Sequence, residues 1–337
     1  MKNPSIVFTS PCVAELIDKD IKELKEDDVL VELMCSTISA GTERANLVGD
    51  ANVNPSSSKP SIEFPRQSGY SSSGIVRKVG SAVTSVKEGD RVALSWSKHS
   101  KYCVMNERKV YKLDDAVDFD EAALVHIATF PLGAIRKCGL EVGESAIVMG
   151  LGVLGLLAVE LLRAAGAAPI IAVDPVESKR VQALELGADY SLDPFSEGFA
   201  EKVKELTDGG VAVAIEVTGK GQGLDMVLDC MKKFGRVALL GCTRDSNFTI
   251  DYYRKVHWMG VSLIGAHTMA RPKYESFDSY WTDADDARAI LKLLKGKRLD
   301  FKCLIEETHS PAEAPEVYTR LANSPAFPIV QFDWSNL

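Results

Sequence analysis

The stretch around residue 150 constrains this chain more than any other: the apolar run Ala146–Met149 leads into Gly150-Leu-Gly152-Val-Leu-Gly155, which opens the helical pattern LGLLAVELLRAAG. Three glycines at this spacing between a strand and a helix have separate jobs. Gly150 permits a tight turn, Gly152 lets a pyrophosphate approach the backbone, and Gly155 lets helix and strand pack closely. The helix N-terminus adds free N–H groups and the positive end of its dipole. The next apolar strand, Ile170–Val173, ends in Asp174, 24 residues beyond Gly150 and near the ~20-residue spacing of a ribose-binding acid. A carboxylate there accepts from the ribose hydroxyls and repels a 2′-phosphate, so the pattern predicts NAD over NADP. Lys179 and Arg180 read as solvent-facing helix charges, with a phosphate contact as the alternative.

The same texture continues from Glu144 onward. SAIVMG, PIIAVD, VAVAIEVTG and RVALLG are apolar strands, alternating with the helical stretches SKRVQALELG and GLDMVLDCMKKFG. Strands apolar on both faces, alternating with helices, predict an α/β fold with a doubly wound parallel sheet: a Rossmann domain, expected over residues 126–266. Residues 1–125 read instead as an all-β module, with short strands SIVFTS, DVLVELMC, SGIVRKVG, DRVALSW, KYCVM and RKVYKL broken by turn signals. The final strand-like FPIVQFDW predicts that residues 267–337 return to complete that module. Expected nucleotide contacts are Gly150, Gly152, Val153, Leu154 and Gly155 at the first turn, and Asp174, Pro175 and Lys179 after the second strand. Thr218, Gly241, Cys242, Ile264, Gly265 and Ala266, at later strand ends, complete the set.

Composition narrows the remaining choices. A chain of 337 residues exceeds the ~250–300 at which one core stops growing, so two domains are expected. A net charge of -8 disfavours a nucleic-acid partner. No apolar run approaches the ~18 residues of a membrane span, and charges come too early for a signal core, so a soluble cytoplasmic enzyme is expected. The seven cysteines are scattered with no C-x-x-C pair, which predicts neither a disulfide framework nor a zinc knuckle, but mostly buried thiols.

SAGTE (39–43), SGIVRKVGSAVTSVKEGDRV (73–92), GLGVLG (150–155), ALELGAD (183–189), VTGKGQG (217–223) and LIGAH (263–267) together resemble the medium-chain dehydrogenase/reductase superfamily over nearly the whole chain. The resemblance implies a GroES-like β domain that carries the substrate, a Rossmann domain that carries NAD, and a homodimer. Zinc-dependent members place a cysteine, a histidine and a third ligand where this chain has Ala40, Tyr70 and His126, and the four-cysteine structural lobe is missing between Arg91 and Val110. One ligand in three cannot hold a catalytic zinc, so a branch without metal is expected. A rearranged site drawing on Cys35, Cys103, His99, His126 and Glu43 is the alternative. STISAGTER (36–44) and Phe332-Asp333-Trp334 are similar to a group that includes bacteriochlorophyllide dehydrogenases and sugar-associated oxidoreductases.

Oxidising an alcohol without zinc requires a general base and donors for the developing alkoxide. The candidates are Thr42, at the family's proton-relay hydroxyl, with Tyr70 and His126. Glu43 is expected to orient them, and His99 is a further acid-base candidate. Each also has a purely structural reading. The polar loop from Gly49 to Ile62 is expected to serve as a lid, His267 to line the pocket, and the aromatic runs 251–258 and 271–281 to bind a polyhydroxylated substrate or form a subunit interface. The predicted reaction interconverts a secondary alcohol and a ketone on a polyol, sugar derivative or larger alcohol. An enone or quinone reductase and a non-catalytic NAD(H)-binding sensor are the alternatives.

Overall fold

The strand Asp28–Thr37 shows how the first part of the chain is built: its residues alternate between buried and half-buried along DVLVELM, the period of a sheet with one covered face. The computed structural model describes residues 2–50, 63–243, 247–324 and 326–337, so most of the expected lid, 51–62, lies outside the described residues. Two units divide the chain, the first comprising residues 1–127 with 287–337 and the second residues 128–286.

In chain order, the first unit opens with β1 (Asn3–Ser10), β2 (Val13–Lys19), β3 (Asp28–Thr37), α1 (Ala40–Val48), β4 (Ser71–Val79), β5 (Arg91–Ser95), β6 (Tyr102–Asn106), β7 (Val110–Lys112) and α2 (Phe119–Ala122). Helix α3 (Val125–Lys137) begins in this unit and runs into the second. The second unit holds β8 (Ala146–Met149), α4 (Val153–Ala165), β9 (Ile170–Val173), α5 (Glu177–Glu185), β10 (Tyr190–Leu192), α6 (Phe199–Leu206), β11 (Val211–Glu216), α7 (Gly221–Asp229), β12 (Met231–Leu239) and β13 (Ser262–Gly265). The chain then passes through α8 (Asp283–Lys295) to β14 (Glu307–His309), α9 (Ala314–Asn323) and β15 (Val330–Asp333).

The strand order of the second unit is β10-β9-β8-β11-β12-β13, every pair parallel. This order reverses between β8 and β11, the switch point where doubly wound sheets bind ligands beyond their strand ends. β8, β9 and β11 are buried along their whole length, because helices cover both faces. In the first unit the order is β14-β15-β3-β4-β5-β7, with β6 also on β3. β15 pairs antiparallel with β3, Phe332 opposite Ser36, so the C-terminal strand does return to the first module. Its Phe332 and Trp334 join Phe8, Leu33 and Tyr318 in that unit's core.

The VAELIDK segment, which carried no strand signal in the sequence, forms β2. One sequence reading is corrected. The helical reading of GLDMVLDCMKKFG stops at Asp229, because Met231 pairs with Val211 and starts β12. Among the described residues no helix is long and apolar enough to cross a membrane.

Phe332 is fully buried, so Phe332→Ala should cost about 3–5 kcal/mol in denaturant unfolding. Phe277→Ala, at a ring 61% exposed, should change stability by less than about 0.5 kcal/mol.

Candidate functional site

The nucleotide candidates sit at or just beyond the carboxyl ends of the parallel strands, except Lys179, which lies within α5. Gly150 takes φ +100°, and a Cβ on Gly155 would lie 1.9 Å from the Gly150 carbonyl oxygen, so helix α4 can leave β8 this steeply only with glycine there. A Cβ on Gly152 would meet nothing within 4 Å, which leaves open space over the helix start that Val153 and Leu154 begin. The Asp174 carboxylate accepts from Leu151 N–H at 2.9 Å and Val176 N–H at 2.9 Å, tying the end of β9 to the glycine turn. Pro175 is exposed beside it.

Lys179 is buried with Ala183 on the inner face of α5, which corrects the solvent-facing reading. Arg180 folds back to donate to the carbonyls of Asp174 (2.8 Å) and Pro175 (3.0 Å).

At the end of β11 the carboxylate of Glu216, 2% exposed, accepts from Thr218 N–H at 2.8 Å, from the Thr218 hydroxyl and from Gly219 N–H. Burial pushes its pKa up, and those donors pull it back. The backbone N–H groups of Leu240 and Gly241 in turn donate to the Glu216 carbonyl, so the β11 and β12 strand-end turns are held together. Cys242 is exposed just beyond. At the end of β13, Ile264 is half-buried and Ala266 buried, and a Cβ on Gly265 would again meet open space.

In the first unit the expected catalytic residues separate into two groups. Glu43, in the first turn of α1, is fully buried and accepts from Ser39 N–H (2.9 Å) and the Tyr318 hydroxyl (2.5 Å), and it lies 3.1 Å from His99 Nε2. His99 Nδ1 is 2.8 Å from the Ser36 hydroxyl, which accepts from Trp334 Nε1–H at 2.8 Å. Both nitrogens of His99 are thus committed inside the network. Glu43 holds His99 against the first turn of α1 in the core of this unit. Burial and the neighbouring Glu43 charge push the Tyr318 phenol well above its ordinary pKa. Tyr318 reaches this position because α9 buries Ala314, Val317, Tyr318 and Leu321 on one stripe, after the capping box of Ser310 and Glu313.

The second group is aromatic. Tyr70 and His126 cross edge-to-face with ring centres 5.8 Å apart, and the Trp96 ring lies 4.7 Å from His126 and 6.0 Å from Tyr70. His126 is buried, whereas Tyr70 and Trp96 are half-buried. Trp96 adopts φ +65°, a conformation costly for a bulky residue, and its N–H donates to the Tyr70 carbonyl at 2.7 Å. Sequence reasoning missed Trp96, Tyr318 and Ser36. A left-handed residue closing a strand could have marked Trp96, but no local pattern announces that conformation. Thr42 is half-buried on α1, one residue before Glu43.

A zinc ion does not fit these residues. Ala40, Tyr70 and His126 offer one imidazole, and among the described residues no group of three or more His, Cys, Asp or Glu side chains is placed to hold a metal. The alternative donors Cys35 and Cys103 are buried thiols, and burial pushes Cys103 up to about 11 and Cys35 well above its usual value. His257 and His267 lie in the second unit, His267 in the turn after β13, where burial and the Lys137 charge lower its pKa. The two aromatic runs expose Tyr252, Tyr253 and Trp258, and Tyr274, Phe277 and Trp281.

The chain matches two family models, an alcohol dehydrogenase GroES-like domain over residues 25–137 and a zinc-binding dehydrogenase over residues 153–281. L-threonine 3-dehydrogenase of Pyrococcus furiosus is 28% identical over 75% of this chain and 79% of its own length. D-guloside 3-dehydrogenase of Escherichia coli K12 is 25% identical over 93% of this chain and 94% of its own. Among solved structures, 2R,3R-butanediol dehydrogenase of Bacillus subtilis superposes with a TM-score of 0.82 at 22% identity, covering 98% of this chain and 99% of the other. From its N-terminal β module to its Rossmann sheet, the chain belongs to the zinc-type alcohol dehydrogenase-like medium-chain dehydrogenase/reductase superfamily and is an oxidoreductase of that alcohol dehydrogenase-like kind.

Proposed function

We propose that this protein interconverts a secondary alcohol and a ketone on a polyol, sugar derivative or larger alcohol, using NAD(H) and no catalytic zinc. The observation that carries the reading is the Tyr70–Trp96–His126 cluster, whose rings lie 4.7–6.0 Å apart and which includes two residues that the resemblance puts at or near the positions of the family's zinc ligands. A nicotinamide cofactor, when bound, accepts or returns the hydride. The protein's own task is to orient the substrate and handle the hydroxyl proton. Tyr70, half-buried, carries a phenol able to donate to a carbonyl or developing alkoxide oxygen. His126, against its ring, is the acid-base partner, since an imidazole changes charge near neutral pH. The faces of Tyr70 and Trp96 offer apolar surface to the C–H side of a polyhydroxylated substrate. The guloside and threonine relatives, whose names place the oxidation at a carbon bearing a hydroxyl, support a polar substrate with a secondary alcohol.

NAD is preferred to NADP on the strength of Asp174. Two backbone N–H groups fix its carboxylate, which keeps lone pairs for ribose hydroxyls and repels a 2′-phosphate. A homodimer completes the proposal, on the resemblance alone.

Polyols, sugars and their keto forms, followed by nicotinamide absorbance with NAD(H) and NADP(H) in parallel, provide the first assay. Turnover with NAD(H) is expected, and reduction of enones or quinones alone would overturn the alcohol reading. Tyr70→Phe and His126→Asn should each lower kcat by roughly 10²-fold. Asp174→Ala should raise KM for NAD about tenfold while improving use of NADP. Chelator dialysis should leave both activity and metal content unchanged; stoichiometric zinc lost together with activity would sink the metal-free mechanism.

A further inference from the structure

The turn that follows β13 is held from an unexpected direction. Lys137, the last residue of α3, donates from Nζ to the Gly265 carbonyl at 3.0 Å and to the Ala270 carbonyl at 2.5 Å. These two carbonyls bracket a compact turn: Ala270 N–H donates to the His267 carbonyl at 2.8 Å, and Met269 N–H to His267 Nδ1 at 3.2 Å. The start of the turn is fixed to the sheet, because Ala266 N–H donates to the Leu239 carbonyl at 3.1 Å. A single ammonium therefore closes the far end of a segment whose near end belongs to the parallel sheet.

The residues around it make α3 a template for the whole segment. Arg136, beside Lys137, pairs with buried Asp286 at 2.8 Å and lies 3.6 Å over the Trp281 ring. Arg271 donates to the Thr129 carbonyl at 3.0 Å and sits 3.4 Å from Asp286. A Cβ on Gly133 would come within 2.8 Å of the Arg271 guanidinium, so α3 carries a glycine where that side chain crosses it. Lys137 also faces the Tyr280 ring at 5.6 Å. A lysine in a helix's last turn ordinarily serves its own helix's carbonyls; here it serves two carbonyls of another segment.

We propose that Lys137 is a positioning residue for the nicotinamide end of the cofactor, holding the Gly265–Ala270 turn so that Ile264, Gly265 and Ala266 present a fixed backbone to that ring. The proposal rests on the reading that these three residues contact the nicotinamide. It assigns Lys137 no contact with the adenosine or pyrophosphate portions, which the β8 and β9 turns serve.

The test uses the full-length protein and two ligands, NADH and ADP-ribose; the latter carries the adenosine and both phosphates but no nicotinamide. By calorimetry, Lys137→Met should weaken NADH about tenfold and leave ADP-ribose within about twofold, because one charge-assisted hydrogen-bonded clamp is lost. Lys137→Arg should recover most of the NADH affinity. NADH bound by Lys137→Met as tightly as by the wild type overturns the proposal while leaving the nucleotide site intact. A wild-type chain that binds neither ligand overturns the nucleotide reading and this proposal with it. Should Lys137→Met lose both ligands, Lys137→Gln decides: NADH selectively weakened supports the proposal, and equal loss of the two overturns it.

Discussion

A carboxylate taken wholly out of water costs several kcal/mol unless donors surround it, and Glu43 is such a group. Its partners come from near and far along the chain: Ser39 four residues before it, His99 56 residues after it, and Tyr318 from a helix 275 residues away. His99 in turn engages Ser36, and Ser36 engages Trp334 at the end of the last strand. The N-terminal β module therefore supplies only part of the partners of its buried Glu43 side chain. It needs α9 and β15, which is a physical reason for a domain built from both ends of the chain. The same network fixes the first turn of α1, where Thr42 lies, and the loop carrying His99, whose N–H donates to the Ser68 carbonyl two residues before Tyr70.

The second unit uses carboxylates, Glu216 buried and Asp174 half-buried, in a different way. Asp174 and Glu216 each end an apolar parallel strand, and each accepts backbone N–H groups of an adjoining turn. Strand ends of a parallel sheet leave polar backbone without ladder partners, and a carboxylate with two oxygens can organise several such donors at once. The strand-end turns are thereby shaped by the chain's own groups, which on the proposed reading lowers the ordering cost of binding a nucleotide there. Asp174 retains lone pairs beyond its two backbone bonds, so shaping the turn and receiving a ribose are compatible duties for one side chain.

Much of this was legible in the sequence, for identifiable reasons. Parallel strands are continuous apolar runs, and glycines at strand-to-helix turns are written into the order of residues, so β8, α4 and β9 could be read directly. The helix–strand boundary at Cys230 could not: residues 221–233 keep a helical spacing, and the switch is imposed by the pairing of Met231 with Val211. Lys179 looked solvent-facing because a lysine usually is, yet it shares the inner face of α5 with Ala183. Tyr318 was invisible because a tyrosine on an amphipathic stripe reads as core, and its hydroxyl's partner is set by topology. Trp96 was read as a strand terminus, and nothing local signals its left-handed backbone.

On the proposed reading, replacing a metal ligand by an aromatic residue changes how the oxygen of the substrate is stabilised. A zinc ion polarises that oxygen as a point charge and tolerates varied approach. A phenol offers one directed hydrogen bond, so the substrate must arrive in one orientation. The additional constraint has to come from shape, and the half-buried faces of Tyr70 and Trp96 supply it beside the hydroxyl. Trp96 lies against His126 with its backbone in a strained left-handed conformation, which its N–H bond to the Tyr70 carbonyl helps to hold. Strain kept at such a position is expected where orientation matters more than stability. By this argument, selectivity for a particular hydroxyl resides in the Tyr70–Trp96 pair, while the chemistry it serves is common to the superfamily.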